Sequence, residues 1–215
     1  MQLGRRDLLK MAGAGAAFGA LPGAAAAQML PRVPALQFPN MVAPRGIDPA
    51  LFERARASLM RHSGRILNRD RIGIVDYSLR SDQPRFHIVD TATGHVRSHL
   101  VSHGSGSDRN HNGFLDHFSN QHNSYASSAG AYQTANRYHG KYGLSMKLHG
   151  LDDSNSNAFS RYIVMHSAWY AEEDMVHKHG KLGRSQGCFA LGRADHWNAM
   201  DLLGEGRMIY ADKLA

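Results

Sequence analysis

A mainly β domain with peripheral helices is predicted by three observations. Short runs of β-branched and aromatic residues recur along the chain, turn residues separate them, and only two segments carry helical spacing. The extended runs lie at 71–78, 85–90, 95–102, 131–138, 144–148, 161–165 and 207–210, with Ala92-Thr93-Gly94 as one of the turns. The first helix opens at Asp48-Pro49-Ala50-Leu51, where an Asp cap precedes proline in the first turn. Leu51, Ala55 and Leu59, at i, i+4 and i+8, give it one apolar face, and it ends near Ser63-Gly64. The second helix runs over 193–203 and is closed by Gly204.

The chain begins with a targeting pattern. Arg5-Arg6-Asp7-Leu8-Leu9-Lys10 leads into an Ala/Gly-rich apolar run ending at Ala24-Ala25-Ala26-Ala27. Residues 1–27 therefore read as a cleavable signal peptide of the twin-arginine type, and the expected location is the periplasm. The run is diluted by glycine and proline and is shorter than the roughly 20 apolar residues a span needs, which argues against a stable membrane anchor. Residues 28–47 form a Pro-rich connector, and 48–215 are long enough for one domain with a proper core. The formal charge is +7. Arg5, Arg6 and Lys10 against Asp7 account for two of those charges and leave +5 on the chain that follows the leader. Nucleic acid is a poor partner for it, because export removes it from most nucleic acid and no dense Lys/Arg block is present. A carboxylate-rich polymer outside the cytoplasm suits the charge better.

The chemistry centres on Cys188, the only cysteine. A lone thiol in an exported chain has no intramolecular disulfide partner, so it is either a small buried hydrophobe or a reactive group. It sits in Gly183-Arg184-Ser185-Gln186-Gly187-Cys188, downstream of His166 in Ile163-Val164-Met165-His166-Ser167. A thiol with an ordinary pKa of about 8.5 needs a nearby imidazole or positive field to become a nucleophile. His166, at the end of an apolar run, is the candidate base. Ser167 is the candidate orienting group, through its hydroxyl or its backbone carbonyl. Gly187 allows close approach to the backbone, and the amides of Gly187 and Cys188 are the candidate oxyanion donors. Ser185, Gln186, Arg184 and Trp169, three residues past His166, are the candidate substrate-binding side chains. A papain-like arrangement is disfavoured, because there the cysteine precedes the histidine.

No metal and no cofactor are expected. Asp108, Asn110, Asn112, Gly113 and Asp116 follow the first half of a calcium loop, but its twelfth position is Ser119 and not a bidentate glutamate, so a polar turn is the simpler reading. His177-Lys178-His179 has neither an HExxH pattern nor a Cys/His quartet beside it.

Taken in order, Ser107-Asp108-Arg109-Asn110-His111-Asn112-Gly113, Phe118-Ser119-Asn120, Ser127-Ser128-Ala129-Gly130, Leu148-His149-Gly150-Leu151 and the Cys188 segment resemble the murein L,D-transpeptidase catalytic domain family, a divergent YkuD-like branch. The resemblance covers roughly residues 72–210. It implies a β-sandwich-type catalytic domain in which a cysteine attacks the carbonyl of an L-configured residue in a peptidoglycan stem peptide. The resulting thioester is resolved by the amine of an acceptor stem. On that pattern Cys188 matches the nucleophile, His166 the base, Ser167 the residue beside it, and Ser185 and Gly187 the motif around the cysteine. The chain departs from the pattern at Gln186, where the family often has His, and at Ala190, where it often has Arg. The interval from His166 to Cys188 is also longer, with 168–182 as an inserted loop. Arg184 or Arg193 is the expected replacement for the missing arginine. Resolution of the thioester by water, giving an L,D-carboxypeptidase, and a non-catalytic wall-binding role remain the alternatives. Nothing in the sequence sets the oligomeric state.

Overall fold

The computed structural model describes residues 41–214, so the leader 1–27 and residues 28–40 of the connector lie outside the described residues. The domain contains helix α1 (Pro49–Arg61), strands β1 (Arg71–Asp76), β2 (Phe86–Asp90) and β3 (Val96–His99), and a long hairpin of β4 (Gly130–Gly140) and β5 (Gly143–Gly150). Strand β6 (Val164–Ser167), helix α2 (Glu173–His179), strand β7 (Phe189–Leu191), helix α3 (Arg193–Leu202) and strand β8 (Met208–Asp212) follow. The strands form one eight-stranded mixed sheet in the order β3-β2-β1-β8-β4-β5-β6-β7, parallel at β1/β8 and β6/β7.

Strand alternation divides the apolar residues between two cores. Ile72 and Ile74 of β1, with Met208 and Tyr210 of β8, face α1 and pack on Leu51, Phe52, Ala55 and Leu59. Val75 and Ile209 point to the other face, where they share a core with Phe86, Ile88, Met165 and Phe189. Phe86 and Met165 belong to strands five places apart in the sheet, so the sheet curls over that second core and encloses it in two layers. Its edges nearly close, because the Ser102 amide beyond β3 donates to the Ala190 carbonyl of β7 at 2.9 Å and Gly104 bridges to Ser185.

The α1 cap is as the sequence predicts. Asp48 Oδ1 accepts from the Ala50 amide at 2.8 Å, and Pro49 opens the first turn. The helix stops at Arg61, two residues before the predicted end. Ile47, at the end of the expected connector, is buried in the α1 core, and Met41 and Ala43 pack against it. All seven predicted extended runs contain strands. Two elements carry no prediction. Strand β7 is only three residues long, and α2 lies inside the segment read as an inserted loop. The signal for α2 was available, since Glu173 and Asp174 open it, His177, Lys178 and His179 close it, and Gly180 follows at φ 68°.

Candidate functional site

Strands β6 and β7 bring the two candidate reactive side chains to one face. Met165, His166 and Ser167 pair in parallel with Phe189, Ala190 and Leu191. Carried one residue back, that register sets Cys188 beside Val164, two residues or about 7 Å along the strand from His166. The turn before β7 requires glycine. Gly187 has φ 106°, and a Cβ on it would lie 2.6 Å from the Ala126 carbonyl oxygen. Ser185 then ties the turn together. Its hydroxyl donates to the Cys188 carbonyl at 2.8 Å and accepts from the Gly187 amide at 3.1 Å. Its backbone is held from the other side by the His103 carbonyl and the Ser105 amide, both at 2.8 Å.

Cys188, His166, Ser185, Gln186 and Arg184 line one cleft of about 530 Å³. The Cys188 thiol donates to the Tyr162 carbonyl at 3.5 Å. Burial pushes its pKa above the ordinary thiol value, and the opposing pull of the Val164 amide and the Arg161 guanidinium is too weak to reverse this. His166 Nδ1 lies 2.9 Å from the Ser167 carbonyl, an acceptor only, so Nδ1 carries the proton and Nε2 is the basic nitrogen. Burial holds this imidazole below its ordinary pKa, against the effect of that carbonyl. Both shifts favour neutral forms. The resting pair is therefore a thiol and a neutral imidazole, suited to general-base transfer of the proton during attack and not to a standing ion pair.

Of the two groups that residue 167 offers, the backbone carbonyl is the one that orients His166. Two expectations change. The Gly187 amide is engaged by Ser185 Oγ within the turn, which removes it from the expected pair of oxyanion donors. Trp169 does not line the cleft. It stands at the surface, 74 % exposed and edge-on to Tyr170, and Tyr170 lines the wall in its place.

The arginines also sort differently. Arg193 lies at the start of α3, where its amide donates to Glu172. Ala190 is fully buried in β7 with its carbonyl bonded to Ser102, a position with no room for arginine. Arg184 does reach the cleft, and its Nη1 donates to the Asp108 and Arg109 carbonyls. Sequence reasoning missed Arg161, the guanidinium nearest in effect to the thiol. Arg161 donates to the Ser119 carbonyl at 2.8 Å, Ser128 Oγ at 2.6 Å, Ser124 Oγ at 3.1 Å and the Ala126 carbonyl at 2.6 Å, fixing the wall opposite the nucleophile turn. Tyr142 was missed as well. It sits in the two-residue turn of the β4–β5 hairpin and stacks on the His166 ring at 4.4 Å between centroids. No local pattern marks either residue, because both reach the site through long-range pairing.

The Asp108 motif proves to be scaffolding behind the cleft. Asp108, fully buried, accepts from the Asn112 and Gly113 amides at 2.9 and 3.0 Å and from His103 Nε2 at 3.1 Å. Its oxygens thus serve a polar turn. Among the described residues no group of three or more His, Cys, Asp or Glu side chains is arranged to hold a metal ion.

A family model of the L,D-transpeptidase catalytic domain matches residues 44–211. No curated protein sequence matches. Among solved structures, an L,D-transpeptidase from Mycobacterium smegmatis is similar at 14 % identity and a TM-score of 0.40, over 66 % of this chain and 58 % of that one. One from Mycobacterium tuberculosis gives 14 % and 0.43 over 66 % and 57 %. One from Stackebrandtia nassauensis gives 12 % and 0.41 over 75 % and 64 %. The chain spans less than two thirds of the length of these solved chains. The family match takes in β1 to β8 and both candidate reactive residues, and the chain belongs to the L,D-transpeptidase catalytic domain family.

Proposed function

We propose that this chain is a cysteine-dependent L,D-transpeptidase that cross-links peptidoglycan stem peptides in the periplasm, after export through its twin-arginine leader. The observation that carries the reading is the shared cleft of Cys188 and His166, with Nδ1 tied to the Ser167 carbonyl so that Nε2 is left basic. In the proposed reaction, Sγ attacks the carbonyl of an L-configured stem residue while Nε2 takes the thiol proton. The carbonyl electron pair moves onto oxygen, for which the Cys188 amide is the remaining candidate donor. Collapse expels the amine of the C-terminal part of the stem, which leaves with the proton from His166, and a thioester remains. The amine of an acceptor stem then attacks the thioester and gives its proton to His166. The thiolate departs and is reprotonated, leaving an amide cross-link and a regenerated enzyme.

Arg184, which lines the cleft, is the proposed holder of a stem carboxylate. Lys178 is less suited to that role, since it stands on exposed α2 and pairs with Asp174 at 3.4 Å.

The test is intact-protein and muropeptide mass spectrometry with purified stems. The wild-type chain is expected to carry an acyl adduct on Cys188 and to yield cross-linked dimers, of the 3-3 or 1-3 type according to the donor carbonyl attacked. Trimmed monomers alone, at high acceptor concentration, would make it a carboxypeptidase. Absence of any adduct would leave a wall-binding protein.

A further inference from the structure

Two tyrosines at the cleft hold a backbone conformation that L side chains rarely adopt. Among the described residues, the non-glycine positions with positive φ are His111, Asn123, Tyr125 and Tyr162, and the last three line the cleft of Cys188. Asparagine enters this region readily, whereas tyrosine does not. The local reason at Tyr162 is clear. The turn over 158–162 ends in a Schellman pattern, in which the Ile163 amide donates to the Ala158 carbonyl at 2.9 Å and the Tyr162 amide to the Phe159 carbonyl at 3.1 Å. That pattern requires a left-handed residue where Tyr162 stands, at φ 56°. At the end of α2 the left-handed position is filled by Gly180, the residue expected there.

Packing within the domain does not explain the choice of tyrosine. The Tyr162 side chain is 82 % exposed and Tyr125 is 50 % exposed. Among the described residues neither ring stacks on another ring or lies under a cation, whereas Tyr142 stacks on His166 and lies near Lys141. Strain kept without an internal return is found where a ligand provides it. The Tyr162 carbonyl accepts the Cys188 thiol proton, and its exposed side chain lines the rim of the same cleft. It meets the part of a ligand that projects from the cleft. A carboxylate would seek a cation. A bare aromatic face suits a neutral ring with C–H groups on one side, which is the chemistry of a saccharide.

We infer that Tyr162, assisted by Tyr125 on the neighbouring loop, is a substrate-positioning residue that stacks on the sugar to which the donor stem is attached. The preferred substrate is then the glycan-linked stem and not the free peptide. The inference rests on the proposed function for the identity of the ligand, but its test does not require turnover.

Affinities are measured by calorimetry in the full chain carrying Cys188→Ala, with a disaccharide-linked stem and with the same stem released from its sugar. The linked stem is expected to bind about tenfold more tightly, the scale of one or two aromatic stacking contacts. Tyr162→Gly in that background should bring the ratio close to one, and Tyr162→Phe should preserve it. The thermal midpoint of Tyr162→Gly should be no lower than that of its parent, because glycine adopts φ 56° without strain. Equal binding of the two ligands by the parent, no binding of either, an unaltered ratio in Tyr162→Gly, or a lowered midpoint with both affinities reduced would each overturn the inference. Failure of the wild-type chain to form a Cys188 adduct would overturn the transpeptidase reading separately.

Discussion

The two sides of the sheet are built from different materials. The α1 side is mainly apolar: Leu51, Phe52, Ala55 and Leu59 meet Ile72, Ile74, Val89 and Met208, and Ser58 is the buried polar residue of the helix. The other side has an apolar core of its own, around Phe86, Ile88, Met165 and Phe189, but behind the turn that carries Cys188 it also buries polar groups. Arg85 is fully buried. It donates to the Val101 carbonyl at 3.1 and 2.8 Å, to the Leu79 carbonyl at 2.9 Å and to His103 Nδ1 at 2.8 Å, and burial draws its pKa down to about 10. His103, held at about 4 by burial and by Arg85, is neutral and passes its remaining N–H to Asp108. An apolar contact tolerates sliding, whereas a chain of directed bonds fixes a loop in one place. Apolar packing, present on both sides, supplies stability, and the polar chain holds Ser185 and Cys188 in register with His166.

The sharpest break in that comparison comes at the reactive pair. His166→Ala is expected to lower turnover nearly as far as Cys188→Ala, because nucleophile and base act as one unit, while both variants unfold near the wild-type temperature. Muropeptide assay together with circular dichroism checks this. Loss of the fold in either variant would show that its side chain acts through stability and not through chemistry.

The next effect belongs to the other side. Phe52→Ala removes a fully buried ring from the α1 core and should cost about 3–5 kcal/mol, a large share of the roughly 5–15 kcal/mol of a typical domain. The urea midpoint measures the loss. The rate per folded molecule should be retained, and a parallel fall in that rate would mean that the two sides are coupled.

Acid should separate the sides by titration. His103 and His196 are held at about 4, and His87 and His166 also lie below the ordinary imidazole value, each chiefly through burial. In the unfolded chain these groups bind protons below about pH 6.5. The unfolded state then carries more protons than the folded one, so stability held above about pH 6.5 falls progressively toward pH 4. Below that, Asp108 and Asp152, whose carboxylates are held low by bonds from backbone amides against the effect of burial, add a further loss as they protonate. Urea midpoints measured across this range check the sign, and a midpoint rising on acidification would contradict it. The smallest effect is expected at Ser167→Ala. The group that orients His166 is a carbonyl the substitution retains, and a pH–rate profile matching wild type would confirm that the hydroxyl is idle.

Elements governed by near neighbours were legible. The Asp48 cap, the Leu51/Ala55/Leu59 stripe and α3 follow from side chains a few residues apart, and the observed elements lie close to the predicted spans. The strands were found as runs, but their pairing was not. No local pattern says that β8 enters between β1 and β4, or that the chain beyond β3 meets β7. The same division holds at the candidate site. Cys188, His166 and the glycine turn were legible from residue type and order. Arg161 and Tyr142 were not, and Tyr170 lines the cleft where Trp169 is expected, because distance along the chain from His166 does not say which side chain the 3-10 turn over Trp169–Ala171 aims inward.

The sequence by itself therefore determined the candidate reactive groups, the mainly β class and the family. Each depends on residue identity and on periods of two or four along the chain. Tertiary structure alone decided which nitrogen of His166 is basic, that the Gly187 amide is already engaged, and that a tyrosine and not a glycine holds the left-handed turn beside the thiol. Each rests on a bond between residues only one to five apart in sequence, but whether such a bond closes depends on backbone torsions that are fixed by how β6, β7 and the turn over 158–162 are held in the folded domain. Local side-chain preference has no hold on the first and argues against the last.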